Sequence, residues 1–275
     1  MRSSHADGVL LIHGITGGPA EMKPLQRKLA ARGFTVSCPR LAGHCSSLAE
    51  LKKTRWRDWY ASVDEALTEL RETCDTVFVS GLSMGALLAL QIAAARPDDV
   101  QGVATLSATF FYDGWNVPQI RQRVILPLVI YSPLRFFLSW REPSPFGIKD
   151  ERIRNIIASV YANDSASMPE KYGYSEFPGV TIRETFRLIR ATKGDLGRVT
   201  APLLIVHAVE DDMASLANAR FLASAVASPT IETYFVDDTY HVLTLDKRKN
   251  DVADRVAGFF ETLATADMET VEAVP

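Results

Sequence analysis

The sequence predicts an α/β fold: a mostly parallel sheet of about six or seven strands, flanked by helices and interrupted by one inserted segment. Short apolar runs alternate with helical ones from residue 8 to residue 106 and again from 203 to 263, the pattern of a parallel sheet with crossover helices. The run 8–12 is continuously apolar, as in strands covered on both faces. The β-branched run 76–80 passes through Gly81-Leu82-Ser83-Met84-Gly85 into a helical run, 86–96, that stops at Pro97. Strand, Gly-x-Ser-x-Gly, helix is the setting of a nucleophile elbow, a turn so tight that the residues flanking the serine must be small.

In chain order, 8–12 is a buried strand, followed by the glycine-rich loop His13-Gly14-Ile15-Thr16-Gly17-Gly18-Pro19. A helix over 20–32 points Leu25, Leu29 and Ala30 inward and ends at Gly33. Residues 34–38 form a second strand, and 40–45 a loop. An amphipathic helix over 56–72 carries Trp59, Val63, Ala66, Leu67 and Leu70 at helical spacing. The elbow strand, its helix and a strand at 101–106 follow. From 109 to 194 the alternation breaks into an aromatic- and proline-rich stretch. It then resumes with a strand at 203–207, a helix at 216–227, a strand at 231–236 and a helix at 249–263. The tail beyond Leu263 is small and acidic and is expected to fray. Residues 1–108 and 195–275 therefore read as the core, and 109–194 as a cap. The cap follows a strand whose end lies beside the elbow, where α/β sheets place their ligands.

Composition excludes several classes. The 275 residues are 47% hydrophobic and 23% charged, enough for a sizeable core. A formal net charge of −3 gives no reason to expect nucleic acid or an anionic membrane as partner. The N-terminus lacks the long apolar core of a signal peptide. The apolar region 124–140 is broken by Pro127, Pro133 and Arg135 and falls short of a membrane span. Cys38, Cys45 and Cys74 have no metal-type spacing and read as reduced thiols of a cytoplasmic protein. Nothing implies a metal or organic cofactor. A homodimer is left open.

A serine hydroxyl needs a base, and the base needs an acidic residue to orient it. After a serine elbow the chain order is Ser, then Asp or Glu, then His. Two histidines follow Ser83. His207 lies inside a strand and reads as a satisfied core histidine. His241 follows the strand 231–236 by a short polar loop, at the sheet edge where a base belongs. For the acid, the loop after 203–207 offers Glu210, Asp211 and Asp212. Spacing does not choose among them.

The motifs His13-Gly14-Ile15-Thr16-Gly17, Arg40-Leu41-Ala42-Gly43-His44, Gly81-Leu82-Ser83-Met84-Gly85, Glu210-Asp211-Asp212 and Tyr240-His241-Val242-Leu243-Thr244-Leu245-Asp246 together resemble the bacterial carboxylesterases and monoacylglycerol lipases of the α/β-hydrolase superfamily. The resemblance covers roughly the first 108 and last 80 residues. It implies the α/β-hydrolase fold, the middle carboxylate Asp211 as acid, and a triad of Ser83, Asp211 and His241. It implies an oxyanion hole from the backbone amides of Ile15 and Met84, and monoacylglycerols or simple carboxylic esters as substrates. Cys45 stands where the family usually has glycine; a structural role is expected for it. Cap runs 124–130 and 136–138 are apolar enough to hold an acyl chain, and too poor in basic residues for stable membrane attachment. The expected partner is thus a small ester with an apolar acyl group. Acyl thioesters, carbon–carbon bonds or mere ligand binding are the alternatives that the residues leave open.

Overall fold

A computed structural model describes residues 7–118, 120–141, 143–162 and 173–272. The first six residues, part of the N-terminal stretch read for a leader, lie outside that range. Six strands form one parallel sheet: β1 (Asp7–Ile12), β2 (Thr35–Ser37), β3 (Thr76–Leu82), β4 (Gly102–Leu106), β7 (Leu203–Ala208) and β8 (Ile231–Val236), in the order β2-β1-β3-β4-β7-β8. The short strands β5 (Ser139–Arg141) and β6 (Glu176–Pro178) pair with each other, apart from the main sheet.

Side chains of the central strands alternate between two cores, as a period of two requires. Leu10, Ile12, Val77, Val79, Val103 and Ile205 face one core, together with the buried sides of α3 (Trp56–Arg71) and α4 (Met84–Ala95). Val9, Leu11, Phe78, Ala104, Leu204 and Val206 face the other, against α1 (Lys23–Ala31) and the C-terminal helix Lys249–Glu272. There the Phe78 ring stacks on Phe260 at 4.9 Å. Burial of one such ring contributes about 1.5–3 kcal/mol.

Four local features differ from expectation. The helix expected over 20–32 begins as a 3-10 turn, Pro19–Met22, and only then becomes α1. Its Ala30 faces solvent, because the buried stripe is set by Met22, Leu25 and Leu29. A further short helix, α2 (Leu48–Lys53), starts where the Ser47 hydroxyl accepts the Glu50 amide at 3.1 Å. The last helix runs on to Glu272, past the point where fraying was expected.

Parallel pairing aligns the C-terminal ends of the strands, with Ile12 opposite Gly81 and Leu82 opposite Leu106. The loops that carry Ile15, Ser83, Asp211 and His241 therefore leave one edge of the sheet. Between β4 and β7 the chain brings the described residues Tyr112, Phe146 and Phe177 to a cavity at that edge. It returns in the helix Gly179–Asp195, which packs on α4.

Candidate active site

Ser83 joins β3 to α4 with φ +55° and ψ −111°, a strained conformation for a residue with a side chain. Two glycines make the turn feasible. A Cβ on Gly81 would lie 2.1 Å from the Gly85 carbonyl oxygen, and one on Gly85 would lie 2.3 Å from that of Ile12. The Ser83 amide donates to Leu106 O at 2.8 Å, which fixes the turn to the neighbouring strand. Met84 is the first residue of α4, so its amide has no intrahelical acceptor. Among the described residues neither this amide nor that of Ile15 donates to a protein acceptor.

His241 bridges Ser83 and Asp211. Its Nδ1 lies 2.8 Å from Asp211 Oδ2 and 2.9 Å from Oδ1, and its Nε2 lies 2.9 Å from Ser83 Oγ. A ring nitrogen facing two carboxylate oxygens must carry a hydrogen. Nδ1 therefore donates to Asp211, and Nε2 is left to accept from the Ser83 hydroxyl. Ser83 and Asp211 come from the ends of β3 and β7, and His241 from the loop after β8. All three side chains are largely buried.

The three neighbouring carboxylates separate completely. Glu210 is exposed and pairs with Lys149 at 2.7 Å. Asp212 is buried and accepts the backbone amides of Gly147 (3.2 Å) and His241 (3.4 Å). Asp211 alone reaches the imidazole. It also accepts the Met213 and Ala214 amides at 2.9 and 2.8 Å. Burial pushes the Asp211 carboxyl up, but His241, His207 and the Ala214 amide outweigh it and hold it below the usual carboxylate range. Asp212 is raised, chiefly by burial.

Further residues support the site without having been marked as candidates in the sequence. Asp246, fully buried, accepts the amides of Tyr240 (2.7 Å), Lys149 (2.9 Å) and Asp150 (2.7 Å) and the Thr239 hydroxyl (3.0 Å). It ties the loop of His241 to the segment above it. Its place at the end of the Tyr240–Asp246 motif was the available signal. Thr109 Oγ1 lies 3.2 Å from Ser83 Oγ, and no local pattern points to it. His207 is buried in β7 as expected, and its Nε2 lies 2.7 Å from Ala214 O. It is only half satisfied, since among the described residues Nδ1 has no partner, and its Nε2 lies 3.4 Å from Asp211. Cys45 is buried with φ +55°, the conformation that a glycine would take more readily.

Ser83 and His241 open into a cavity of about 390 Å³. A second cavity of about 140 Å³ adjoins it, and both are bordered by Ile15, Tyr112, Phe177 and Met213. The apolar runs 124–130 and 136–138 reach the cavities only in part: Leu126 borders the second cavity, and Val129 and Ile130 are buried. Val124, Ile125, Leu128, Phe136, Phe137 and Leu138 face solvent. The larger cavity is lined instead by Phe146, Ile148, Ile153, Ile156 and Ile157, with Phe177 from β6. An apolar run shows that a segment can be buried somewhere, not which cavity it faces.

The chain is similar to proteins of known family. The Hydrolase_4 family (Serine aminopeptidase, S33) matches residues 3–248. A thermostable monoacylglycerol lipase of Bacillus sp. (strain H-257) is 31% identical over 92% of this chain and 90% of its own length. A carboxylesterase of Bacillus subtilis (strain 168) is 25% identical over 93% and 92%. Among solved structures, one reported for the metagenome-derived lipolytic enzymes LipS and LipT has a TM-score of 0.78 at 26% identity, covering 94% of both chains. The monoacylglycerol lipase of Paleococcus ferrophilus, at 19% identity and a TM-score of 0.76 over 93% of this chain and 94% of its own, shares the fold. The chain belongs to the Hydrolase_4 family, within the α/β-hydrolase superfamily.

Proposed function

We propose that this protein is a serine carboxylic-ester hydrolase with Ser83, Asp211 and His241 as its triad. The single observation that carries the reading is the relay from Ser83 Oγ through the His241 ring to Asp211, each link under 3 Å. His241 takes the Ser83 proton as Oγ attacks the ester carbonyl. The amides of Ile15 and Met84 hold the tetrahedral oxyanion; losing one such donor costs about 3 kcal/mol in comparable chemistry. Asp211 stabilises the protonated imidazole, which then gives its proton to the departing alcohol. Water activated by His241 releases the acid from the acyl-enzyme.

The larger cavity, with its isoleucine and phenylalanine walls, favours an apolar acyl chain, at about 0.8 kcal/mol per buried methylene. The named activities of the relatives, a monoacylglycerol lipase and a carboxylesterase, support the same class. Residues 109–194 act as the cap that supplies this wall. Among the described residues no helix is long and apolar enough to cross a membrane. Among the described residues Cys38, Cys45 and Cys74 form no disulfide, in keeping with a reducing cytoplasm.

Hydrolysis of p-nitrophenyl esters from acetate to palmitate, with Ser83→Ala alongside, tests the reading. Turnover by the wild type and none by Ser83→Ala is the expected result, and the preferred chain length measures the acyl wall. Full activity in Ser83→Ala would remove the elbow from the mechanism. Inactivity of the wild type on every ester, with turnover of acyl-CoA, would make the enzyme a thioesterase.

A further inference from the structure

Glu21 is an acidic side chain in a cavity walled mostly by apolar side chains, with Thr16 and Lys23 among the few polar ones outside the triad, and the triad does not use it. It sits in the turn before α1, half-buried, and lines the same cavity as Ser83 and His241. Its Oε2 accepts the Gly14 amide at 3.2 Å, one residue before the Ile15 amide. The carboxyl rests against the bare Cα of Gly17, where a Cβ would lie 2.2 Å from either oxygen. A Cβ on Gly14 would lie 3.6 Å from Glu21 Oε2 and 3.9 Å from Ser83 Cβ, so the carboxyl and the serine side chain approach the same point. Among the described residues the Gly14 amide is the one hydrogen-bond donor recorded on this carboxyl, and no cation pairs with it.

A carboxyl group is a costly way to hold one amide. Its enclosure pushes it up to about 7, against the opposing pull of the Gly14 amide and of His241. A neutral amide or hydroxyl side chain would satisfy Gly14 without that penalty. Perturbed acidic groups with an unused oxygen beside reacting atoms are candidates for contact with substrate. Near its midpoint the group presents both a donor and acceptors to the cavity.

We infer that Glu21 is a specificity-determining residue: its free oxygen binds a hydroxyl carried by the substrate close to the scissile ester, so that the enzyme selects hydroxylated esters over their plain alkyl counterparts. The inference rests on the ester-hydrolase reading above. The hydroxyl can belong to the alcohol or to the acyl part, and matched substrates separate the two. 2-Hydroxyethyl octanoate against propyl octanoate places it on the alcohol. Ethyl 3-hydroxybutanoate against ethyl butanoate places it on the acyl group.

The quantity read is the ratio of kcat/KM within each pair, which cancels any general loss caused by loosening Gly14. The wild type should prefer the hydroxylated member of one pair about 10-fold. Glu21→Leu should bring that ratio to near 1, and Glu21→Gln, which keeps an acceptor, should stay within about threefold of the wild type. Should Glu21→Leu fail to fold, Glu21→Ala carries the same test. A wild type without preference in either pair overturns the inference, as does an unchanged ratio in Glu21→Leu or Glu21→Ala. A wild type that hydrolyses none of the four esters instead overturns the ester-hydrolase reading itself.

Discussion

The elbow region and the segment above it are both rich in apolar side chains and treat them in opposite ways. From Val77 to Ala94 nearly every residue is buried, and α4 has no polar face to distinguish. Between Trp115 and Leu138, by contrast, fall most of the exposed large apolar side chains of the described residues, including Phe137 at 82% exposure. The first region is held by backbone contacts that leave no room for one added carbon. The segment that contains the second region packs its returning helix, Gly179–Asp195, on α4, and polar anchors tie it to the site loops, the Gly147 amide on Asp212 and the Lys149 amide on Asp246. On the proposed function, the reacting groups sit where the backbone is over-determined, and the acyl wall sits where side chains can change without moving the sheet.

The largest test of that division is chemical. Ser83→Ala and His241→Ala should each lower kcat by about 10⁴-fold or more without shifting the melting temperature beyond a few degrees. Asp211→Asn should follow at about 10⁴-fold, through the wrong imidazole tautomer. Asp212→Asn, which bonds only to amides, should cost far less. Comparable losses in the two asparagine variants would mean that the neighbouring carboxylates share the work.

Gly81→Ala is the next largest. Its Cβ meets the Gly85 carbonyl at 2.1 Å, and neither backbone can yield without breaking the turn. A loss of about 3 kcal/mol or more is expected in urea unfolding. A soluble variant of near-normal stability would show that the elbow is looser than its contacts imply.

Acid should weaken the core side of the site at a smaller scale. Burial lowers His13 to about 3 and His44 to about 4, so the folded protein keeps both neutral while the unfolded chain protonates them below about 6.5. The unfolded state then binds more protons, and stability falls as pH drops from about 6.5 toward 4, by up to about 1.4 kcal/mol per pH unit for each histidine. Urea midpoints at pH 7 and pH 5, taken in Glu21→Gln so that the raised Glu21 carboxyl does not offset the histidines, check this. Equal midpoints would mean that the two rings are not held neutral. The smallest effect belongs to the outer surface: Phe137→Ser should change unfolding free energy by no more than about 0.5 kcal/mol. A larger loss would show that the exposed strip is covered in solution.

Local pattern made much of this legible. Alternating apolar runs announced the sheet, and the small residues at 81 and 85 announced the strained turn, because both depend on neighbours close in sequence. Trp59, Val63, Ala66, Leu67 and Leu70 were readable as a buried stripe for the same reason. The order of Ser83, the acidic loop and His241 followed from the order of strands. Local pattern did not resolve the exposure of Ala30, the contact of Thr109 with Ser83 or the anchoring of the His241 loop by Asp246.

What the sequence by itself determined was therefore the sheet, the elbow and the few residues able to carry the chemistry. The tertiary structure decided which of them meet. Ser83 and His241 are 158 positions apart and close to 2.9 Å only through the register of the parallel strands. Glu210, Asp211 and Asp212 are adjacent, yet only Asp211 turns its carboxyl to the imidazole. The Glu21 carboxyl and the isoleucine wall likewise take their meaning from the cavity they face. Periodicity records which face of an element is buried; it does not record what another part of the chain brings to that face.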